Sequence, residues 1–350
     1  MHASPPAGDL PTATRLCLEA AARLGLEAEV IDPAYGYLFE LRDGDRRRLM
    51  LGGRSPLNDA VAARLAEDKH YTAMILARAG LRVPRTARCL SPHHPSLRAY
   101  RDRAGLAPGQ AHAEAVGYPV IVKPNRLSHG RGVAVVHDRG GLGAAVRAVW
   151  ALDAIALVQE LAPGRDFRLD FVDGAFLAGY ERRPLRVRGD GWRTLRALLE
   201  AVDARFAEGE RLRRLAEDPR VAAVLEHRGW SLSTVPPEGS TLAFDGPIQN
   251  LNGASTARLV ARLPERLRAH CQRAGDALGL RHFGVDLKLP SLDADPAQAT
   301  FIEVNASPLL SQLYLLGHRE VALEAQVRVL RALFDTGTFD TGTRSHPTTT

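Results

Sequence analysis

The stretch GYPVIVKPNRLSHGRGVAVV, residues 117–136, has the pattern of two strands joined by a loop that contains glycine. Its first apolar run is β-branched and ends at Lys123, and a second apolar run, 133–136, follows the loop 125–132. The pattern predicts a strand, a flexible loop and a return strand. Because glycines let backbone N–H groups approach a phosphate closely, a flap over a triphosphate is one interpretation of the loop. An ordinary surface hairpin is the other.

Two common nucleotide-binding patterns are excluded for this stretch. The loop lacks the GxxxxGK[ST] spacing of a P-loop. It also connects two strands, whereas a dinucleotide-binding loop connects a strand to a helix. Elsewhere the chain contains no HExxH, no GxSxG and no Cys/His metal spacing, so the sequence indicates neither a zinc peptidase nor a hydrolase with a serine nucleophile.

Lysine is rare in this chain. Of the 46 lysine and arginine residues, only Lys69, Lys123 and Lys288 are lysines. A lysine ammonium is a compact point charge that suits a single phosphate oxygen or a narrow site. Lys69 follows Asp68 at the start of a predicted helix, and Lys123 ends a buried strand. A phosphate-binding role for these two is therefore one hypothesis, and a coding bias towards arginine that spared three lysines by accident is the alternative.

Oxygen ligands occur in two apolar strands near the end of the chain. In FIEVN the alternation points Glu303 and Asn305 in the same direction, and Asp286 lies within the strand GVDL. A carboxylate in an apolar strand is unfavourable unless it is paired or bound to a metal. Two carboxylates and an amide oxygen suit Mg²⁺, whereas a solvated strand face is the alternative.

Composition is that of an ordinary globular protein, with 350 residues, 45% hydrophobic and 25% charged, and it predicts two or three domains. The formal charge is +6, but the arginines are dispersed among acidic residues and no recognition motif accompanies them. This distribution favours anionic small-molecule substrates over nucleic acid.

Three cysteines, an odd number spaced far apart, form neither a disulfide framework nor a metal pair. They favour a reducing compartment, and we expect a cytoplasmic protein. No apolar run approaches the roughly 20 residues of a membrane helix. The first ten residues have no basic stretch followed by an apolar one, so no signal peptide is expected.

The remaining pattern is one of alternating helices and strands. Helices are predicted at 12–24, 57–79, 142–152, 194–207, 210–227, 262–279 and 319–334. Strands are predicted at 37–41, 48–51, 120–122, 133–136, 155–160, 167–172, 175–182, 284–289 and 300–305. Residues 231–256 are predicted to be rich in turns, and 336–350 to be a disordered tail. In the hairpin 167–182, alternation puts Arg168 and Asp170 on one face.

Taken in order, seven segments resemble the ATP-grasp superfamily, and within it the branch of cyanophycin synthetase and bifunctional glutathione synthetase. The matching segments span about residues 68–313 and are DKHYTAMILARAGLRVP, GYPVIVKPNRLSHGRGVAVV, LVQELAPGRDFRLDFVDGAFLAGYERRP, VRGDGWRTLRALLE, NLNGA, HFGVDL and FIEVNASP. One position departs from the family pattern. The family often has glycine directly after Asn-x-x-Pro, and this chain has Leu309 there.

The resemblance implies an α/β (α+β) ATP-grasp fold, in which two α/β subdomains clamp ATP after a short N-terminal α/β segment. The expected domains are an N-terminal one at 1–67 and an ATP-grasp domain at 68–335. The latter divides into a lid subdomain at about 90–160 and a C-terminal subdomain at about 161–335.

The resemblance also implies roles for individual residues. Lys69 and Lys123 would contact the ATP phosphates, with the loop residues Ser128, His129, Gly130 and Gly132 closing over them. Glu160 and Leu161 would meet adenine, and Asp166 would meet the ribose. Asp286, Glu303 and Asn305 match magnesium ligands. Arg168, Arg183 and Asn250 match positions near the transferred phosphate or the acceptor, whereas Lys288 has no counterpart.

The activity implied is that of an ATP-dependent carboxylate–amine ligase, which forms a peptide or amide bond through an acyl phosphate and releases ADP and phosphate. The cofactors would be ATP and Mg²⁺, for which Mn²⁺ can substitute. The partners would be a small carboxylate and an amine, such as an amino acid or a small acidic peptide, with no nucleic acid, no membrane and a possible homodimer. An ATP-grasp kinase and a non-catalytic nucleotide-binding protein are the alternatives.

Overall fold

The computed structural model describes residues 10–128, 130–203, 206, 209–216, 218–244, 251 and 254–335. The chain begins with a helix and a three-stranded antiparallel sheet of order β1-β2-β3. These elements are α1 (Thr12–Arg23), β1 (Glu27–Val30), β2 (Leu38–Asp43) and β3 (Arg46–Leu51). Leu16 of α1 and Phe39 of β2 are buried in one cluster with Leu330 from the end of the chain, so the first and last segments share a core.

The predicted helix 57–79 is two helices, α2 (Ala60–Glu67) and α3 (Lys69–Arg78). They meet at Asp68, whose backbone is extended and whose carboxylate accepts a 3.0 Å hydrogen bond from Tyr71 N. A side chain that caps a new helix competes with continuation of the old one. The predicted helix start after Asp68 is therefore confirmed, whereas the single span 57–79 is wrong. Lys69 is thereby the first residue of α3, and its backbone N–H donates to Asn125 O.

A four-stranded antiparallel sheet of order β4-β7-β5-β6 follows. Its strands and the two helices on it are β4 (Thr86–Leu90), α4 (Ala107–Val116), β5 (Val120–Pro124), β6 (Ala134–Val136), α5 (Arg139–Trp150) and β7 (Ile155–Glu160), with a 3₁₀-helix at Pro95–Arg103. β5 and β6 are antiparallel neighbours, as residues 117–136 predict. Val120, Val122 and Val158 are buried in its core.

The described residues from 165 onward form a five-stranded antiparallel sheet of order β12-β9-β8-β13-β14, a two-stranded β10-β11 pair and six α-helices. In chain order they are β8 (Arg165–Val172), β9 (Ala175–Pro184), β10 (Arg186–Arg188), α6 (Leu195–Val202), α7 (Gly209–Ala216), α8 (Pro219–Arg228), β11 (Thr241–Ala243), β12 (Ser255–Val260), α9 (Glu265–Leu278), β13 (His282–Leu289), β14 (Thr300–Asn305), α10 (Ser311–Leu315) and α11 (Arg319–Phe334). One face of the large sheet packs its apolar side chains, such as Phe167 and Leu169, beneath α9.

Several boundaries differ from the sequence predictions. The strand β1 was not predicted, since three of its four residues are exposed and it has no apolar alternation. The predicted helix 210–227 is divided into α7 and α8. The stretch 231–256, predicted to be rich in turns, also contains β11 and the start of β12. β10 and β11 have only three residues each, which is too short for a periodic signal. The predicted tail lies outside the described residues.

Two further observations bear on the predictions. None of the helices in the described ranges is long and apolar enough to cross a membrane. The hydrophobic cluster under the four-stranded sheet is separate from the cluster under the five-stranded sheet, and a third cluster surrounds α6 and β11. The domain boundaries proposed from the sequence stay predictions.

Gly284 on β13 lies so close to the Arg168 and Asp170 side chains that no side chain fits at this position. An added Cβ would overlap Asp170 Oδ1 and lie 2.6 Å from Arg168 Nε. We expect Gly284→Ala to lower the free energy of unfolding by about 1–3 kcal/mol, because the buried Arg168–Asp170 pair must move.

Urea denaturation of the two proteins measures this loss, and Gly143→Ala in α5 is the matched control. A Cβ at Gly143 would lie 3.2 Å from the flexible end of Arg147 and 3.6 Å from Leu106 Cδ1, which is an ordinary van der Waals contact. Alanine is the better helix former, by about 1 kcal/mol, so the control should be neutral or stabilising. Equal effects of the two substitutions would contradict the packing argument.

Candidate active site

The second face of the five-stranded sheet is charged, because strand alternation that buries Phe167 and Leu169 under α9 turns their neighbours the other way. Asp286 at the middle of β13 lies opposite Arg168 of β8 on one side and opposite Glu303 of β14 on the other. Asn305 follows Glu303 on the same side of β14. The register thus brings the predicted magnesium ligands and Arg168 together.

Six side chains of alternating charge cross this face, and we call them the charge ladder: Lys288, Asp166, Arg182, Asp286, Arg168 and Asp170. In that order, the successive nitrogen–oxygen distances are 3.3, 2.7, 2.7, 3.2 and 2.7 Å. None of the six side chains is more than 15% exposed. Buried charges are tolerated when each has an opposite partner, and the ladder supplies one for every member.

Asp286 is at the centre of the ladder. Its Oδ1 accepts from Arg182 Nη2 at 2.7 Å and from Arg168 Nη1 at 3.2 Å, and its Oδ2 lies 3.3 Å from Arg168 Nη1. Burial opposes ionisation of this carboxyl, but the two guanidinium groups outweigh it and hold its pKa below the ordinary value. Asp286 is therefore ionised at neutral pH and is a hard oxygen donor.

The lysines predicted to bind phosphate approach the same face. Lys69 Nζ donates to Leu127 O at 2.7 Å and lies 3.4 Å from Glu303 Oε2. Lys123 is only 5% exposed, and within the described ranges no carboxylate lies at ion-pair distance from its ammonium. Burial lowers the pKa of Lys123 to about 8, although the charge of Glu303 partly opposes the shift. A buried ammonium without a partner is the group that an incoming anion stabilises most.

The donors predicted for Mg²⁺ fit a divalent ion. Asp286 and Glu303 are cross-strand neighbours, which places two carboxylates side by side. Asn305 is two residues further along, and in the described part of the chain its buried Nδ2 has no hydrogen-bond partner. No group of three His, Cys, Asp or Glu residues among the described ones forms a metal site, so this mixed carboxylate–amide set is the candidate. Its assignment stays a prediction.

The loop after β5 is tethered at one end. Leu127 accepts the Lys69 hydrogen bond, whereas Ser128, Gly130 and Gly132 are exposed. Gly130 and Gly132 both have φ near +72°, a left-handed conformation that glycine adopts without strain. His129 and Asn250, also predicted for the site, lie outside the described residues.

Three other predicted residues have definite partners. The Glu160 carboxylate accepts from Arg85 N at 2.9 Å and from Arg85 Nε at 2.6 Å, at the edge of the four-stranded sheet just before the half-buried Leu161. Asp166 belongs to the ladder. Arg183 pairs with Glu181 at 2.6 Å and is not brought to Asp286.

The residue at Asp286 that the sequence analysis left out is Arg182. Counting back from the Asp173-Gly174 turn would place Glu181 opposite Asp166, but a bulge between Asp170 and Phe171 shifts the register by one residue. Arg182 is consequently the partner of Asp166. The opposite charges were visible in the sequence, but the extra residue of the bulge, Leu177 on β9, reverses the face of every β9 residue that follows it.

The class of fold follows from this architecture: it is a mixed α/β fold with antiparallel sheets, as predicted for an ATP-grasp fold. The bifunctional glutathione synthetase of Pasteurella multocida superposes with a TM-score of 0.60 at 19% identity, over 92% of this chain and 44% of that one. This likeness confirms the predicted fold class.

Curated relatives agree with the resemblance seen in the motifs. The glutathione biosynthesis bifunctional protein of Desulfotalea psychrophila is 23% identical over 313 residues, which are 86% of this chain and 38% of that protein. The cyanophycin synthetase of Trichormus variabilis is 28% identical over 281 residues, 78% of this chain and 30% of that protein. The chain thus spans about a third of the length of these relatives. No family model matches it.

Replacing Lys123 with Met should stabilise the protein at pH 7. Folding lowers the pKa of Lys123 from 10.5 to about 8, so below pH 8 the folded state must bury a charge that the unfolded state exposes to water. We expect a gain of up to about 3 kcal/mol, which disappears as the pH rises towards 10.5 because the lysine is then neutral in both states.

Urea denaturation at pH 7 and pH 10 checks this prediction, with Lys288→Met as the matched control. Lys288 has Asp166 as a partner, so its loss removes a buried ion pair and should destabilise the protein at pH 7. If both substitutions shift the free energy of unfolding in the same direction, the distinction between the two lysines is wrong.

Proposed function

We propose that the chain is an ATP-dependent carboxylate–amine ligase that forms an amide bond through an acyl phosphate. One observation carries the proposal: two lysines from separate elements, Lys69 and Lys123, reach the sheet face on which Asp286 and Glu303 lie side by side. Cations beside a pair of carboxylates suit a triphosphate bound together with a divalent ion. The names of the relatives, a glutathione biosynthesis protein and a cyanophycin synthetase, support a biosynthetic ligase.

The chemistry has two steps. A carboxylate oxygen of the first substrate attacks the γ-phosphorus of ATP, the bond from that phosphorus to the bridging oxygen breaks, and ADP leaves. The amine of the second substrate then attacks the acyl carbon, the bond from that carbon to the phosphate oxygen breaks, and the amide, phosphate and a proton are released. The first attack concentrates negative charge on phosphate oxygens, and the second places it on the acyl oxygen and then on the departing phosphate. Cations offset this charge in the transition states.

This chain supplies those cations and a means of excluding water. Lys123 is held in a desolvated position where its charge acts strongly, and a triphosphate beside it would return its pKa towards the ordinary value. Lys69 contacts the loop at Leu127, so a phosphate that binds Lys69 also draws the start of the exposed loop towards it. The Gly130 and Gly132 positions let that loop close, which protects an acyl phosphate from hydrolysis.

Asp286, Glu303 and Asn305 would hold Mg²⁺, with Mn²⁺ as a substitute. When bound, the ion would supply positive charge at the phosphate oxygens. Arg168 and Arg182 touch Asp286 directly, so we assign them as residues that position this carboxylate. Roles at the reacting groups for Arg168, Arg183 and Asn250 remain part of the proposal, as do nucleotide contacts by Ser128, His129, Glu160, Leu161 and Asp166.

The substrates proposed are an amino acid or small acidic peptide as the carboxylate, and a small amine. The basic run that includes Arg182, Arg183, Arg186 and Arg188 suits an anionic substrate. We propose that the protein forms a homodimer. We propose no nucleic acid or membrane partner. The three cysteines are free and buried, which supports a reducing compartment such as the cytoplasm.

The test is to incubate the purified protein with ATP, Mg²⁺ and pools of amino acids and small carboxylates, with phosphate release followed and products identified by mass spectrometry. ADP together with a new mass equal to acid plus amine less water establishes the ligase and names its substrates. ADP with a phosphorylated product and no amide would instead establish a kinase. Binding of ATP without any ADP from any pool would favour a nucleotide-binding protein without catalysis.

Lys123→Met should abolish ADP formation while the protein stays folded, since it removes the charge beside the transferred phosphate. We expect a loss of at least about 100-fold, as for other groups that stabilise charge in a transition state. Arg98→Met, which removes an exposed cation in the 3₁₀-helix Pro95–Arg103, is the control and should be unaffected. Unchanged turnover in Lys123→Met would refute the assignment of this lysine to phosphate binding.

A further inference from the structure

A second basic site lies on the other side of the five-stranded sheet. A cleft of about 450 Å³ is lined by residues of α9, of the turn that follows α3 and of the loop before β14. Its volume lies within the range of about 300–1,000 Å³ that is typical of small-molecule sites. The charge ladder occupies the opposite face of the sheet, so this cleft is separate from the candidate active site.

Four basic side chains converge on the cleft. Arg266, His270 and Arg273 are spaced i, i+4 and i+7 on α9 and therefore share one face of that helix. Arg82 approaches from the turn after α3. Side chains from two elements that meet over a concavity form a more specific feature than a basic helix face that is merely solvated.

Little negative charge is present to neutralise them. Asp295 lines the cleft, but its Oδ1 accepts a 3.1 Å hydrogen bond from Ala297 N as the cap of a short 3₁₀-helix. Glu265 is engaged by Arg268 at 2.5 Å. Considering only the described residues, neither Arg82 nor Arg266 has an ion pair.

One of the residues that line the cleft, His270, has an unsatisfied polar atom. His270 Nε2 is buried and has no hydrogen-bond partner among the described residues, and its Nδ1 lies 3.4 Å from Arg273 Nη1. Burial and the charge of Arg273 lower the pKa of His270, whereas Asp295 raises it. An anion in the cleft would accept a hydrogen bond from the imidazole and offset the adjacent arginines.

We propose that this cleft binds a small anion of the phosphate class, with Arg82 and Arg266 as its principal contacts and His270 and Arg273 at its base. Guanidinium groups match phosphate oxygens with two parallel hydrogen bonds, and three of the four basic residues that line the cleft are arginines. Arg273 also donates to Ala79 O at 2.7 Å. The proposal stands on the cleft alone and does not depend on the proposed ligase activity.

The cleft is connected to the strand that carries Glu303. Phe301 N donates to Arg82 O at 2.8 Å, and the Phe301 ring centroid lies 5.7 Å from that of His270. Phe301 and Glu303 are two residues apart on β14. A bound anion would hold Arg82 and His270 together over Phe301, and it should therefore raise the melting temperature of the protein.

Titration calorimetry with inorganic phosphate and with ADP, at constant ionic strength, tests the proposal. The proteins compared are Lys123→Met, which weakens the candidate active site, and the same protein with Arg82→Ala and Arg266→Ala added. Lys123→Met with Arg98→Ala and Arg101→Ala is the matched control, because it loses the same charge from an exposed 3₁₀-helix. The melting temperature without ligand verifies that each variant is folded.

We expect one phosphate to bind to Lys123→Met and to the control, with affinity lost at least tenfold when Arg82 and Arg266 are replaced. Tighter binding of ADP with the same dependence on these arginines would identify a nucleotide as the source of the phosphate. Equal weakening in the control would show a general charge effect and overturn the proposal. Absence of phosphate binding in Lys123→Met, with binding in the unmodified protein, would overturn it as well, since the anion would then occupy the Lys123 site.

Discussion

The paired contact of Asp286 with Arg168 and Arg182 is the interaction on which the rest of the site depends. It joins β13 to β8 and β9. The register of these three strands is therefore stabilised by ion pairs on one face as well as by hydrogen bonds between their backbones. Burial of an isolated carboxylate would be prohibitive, and burial of either arginine alone would be no better. Because each group requires the others, the position of Asp286 beside Glu303 is determined by the whole ladder.

The electrostatic environment of Lys123 is the opposite of that of the ladder residues. The ladder neutralises each of its members internally, whereas the Lys123 ammonium is buried with its pKa lowered to about 8 and with no carboxylate at ion-pair distance within the described ranges. The ladder on the five-stranded sheet thus stabilises structure, whereas Lys123 on β5 of the four-stranded sheet leaves a charge available to a ligand. Groups held in an unfavourable state by their surroundings concentrate at functional sites, because stability is sacrificed there for binding or catalysis.

Much of this arrangement could be predicted from the sequence, because strand alternation is a local property. Alternation placed Arg168 with Asp170 and Glu303 with Asn305, and the loop between two antiparallel strands was evident from residues 117–136. What failed required information from elsewhere in the chain or a single irregular residue. The bulge at Leu177 concealed the role of Arg182. The helix start after Asp68 was expected, but periodicity also joined it to the preceding helix as one span. The domain boundaries and the site assignments still rest on the resemblance and on this geometry.

The positions of the three lysines bear on the alternative of coding bias. An accident of codon usage would scatter the surviving lysines over the surface, where most arginines of this chain lie. Instead Lys69 contacts Glu303, Lys288 completes the ladder at Asp166, and Lys123 is buried within the field of Glu303, Lys69 and Asp286. All three side chains are nearly buried, and a planar guanidinium is wider than an ammonium. Restricted space around one charged site therefore explains the three lysines better than chance does, and it extends that site to Lys288, for which the resemblance offered no role.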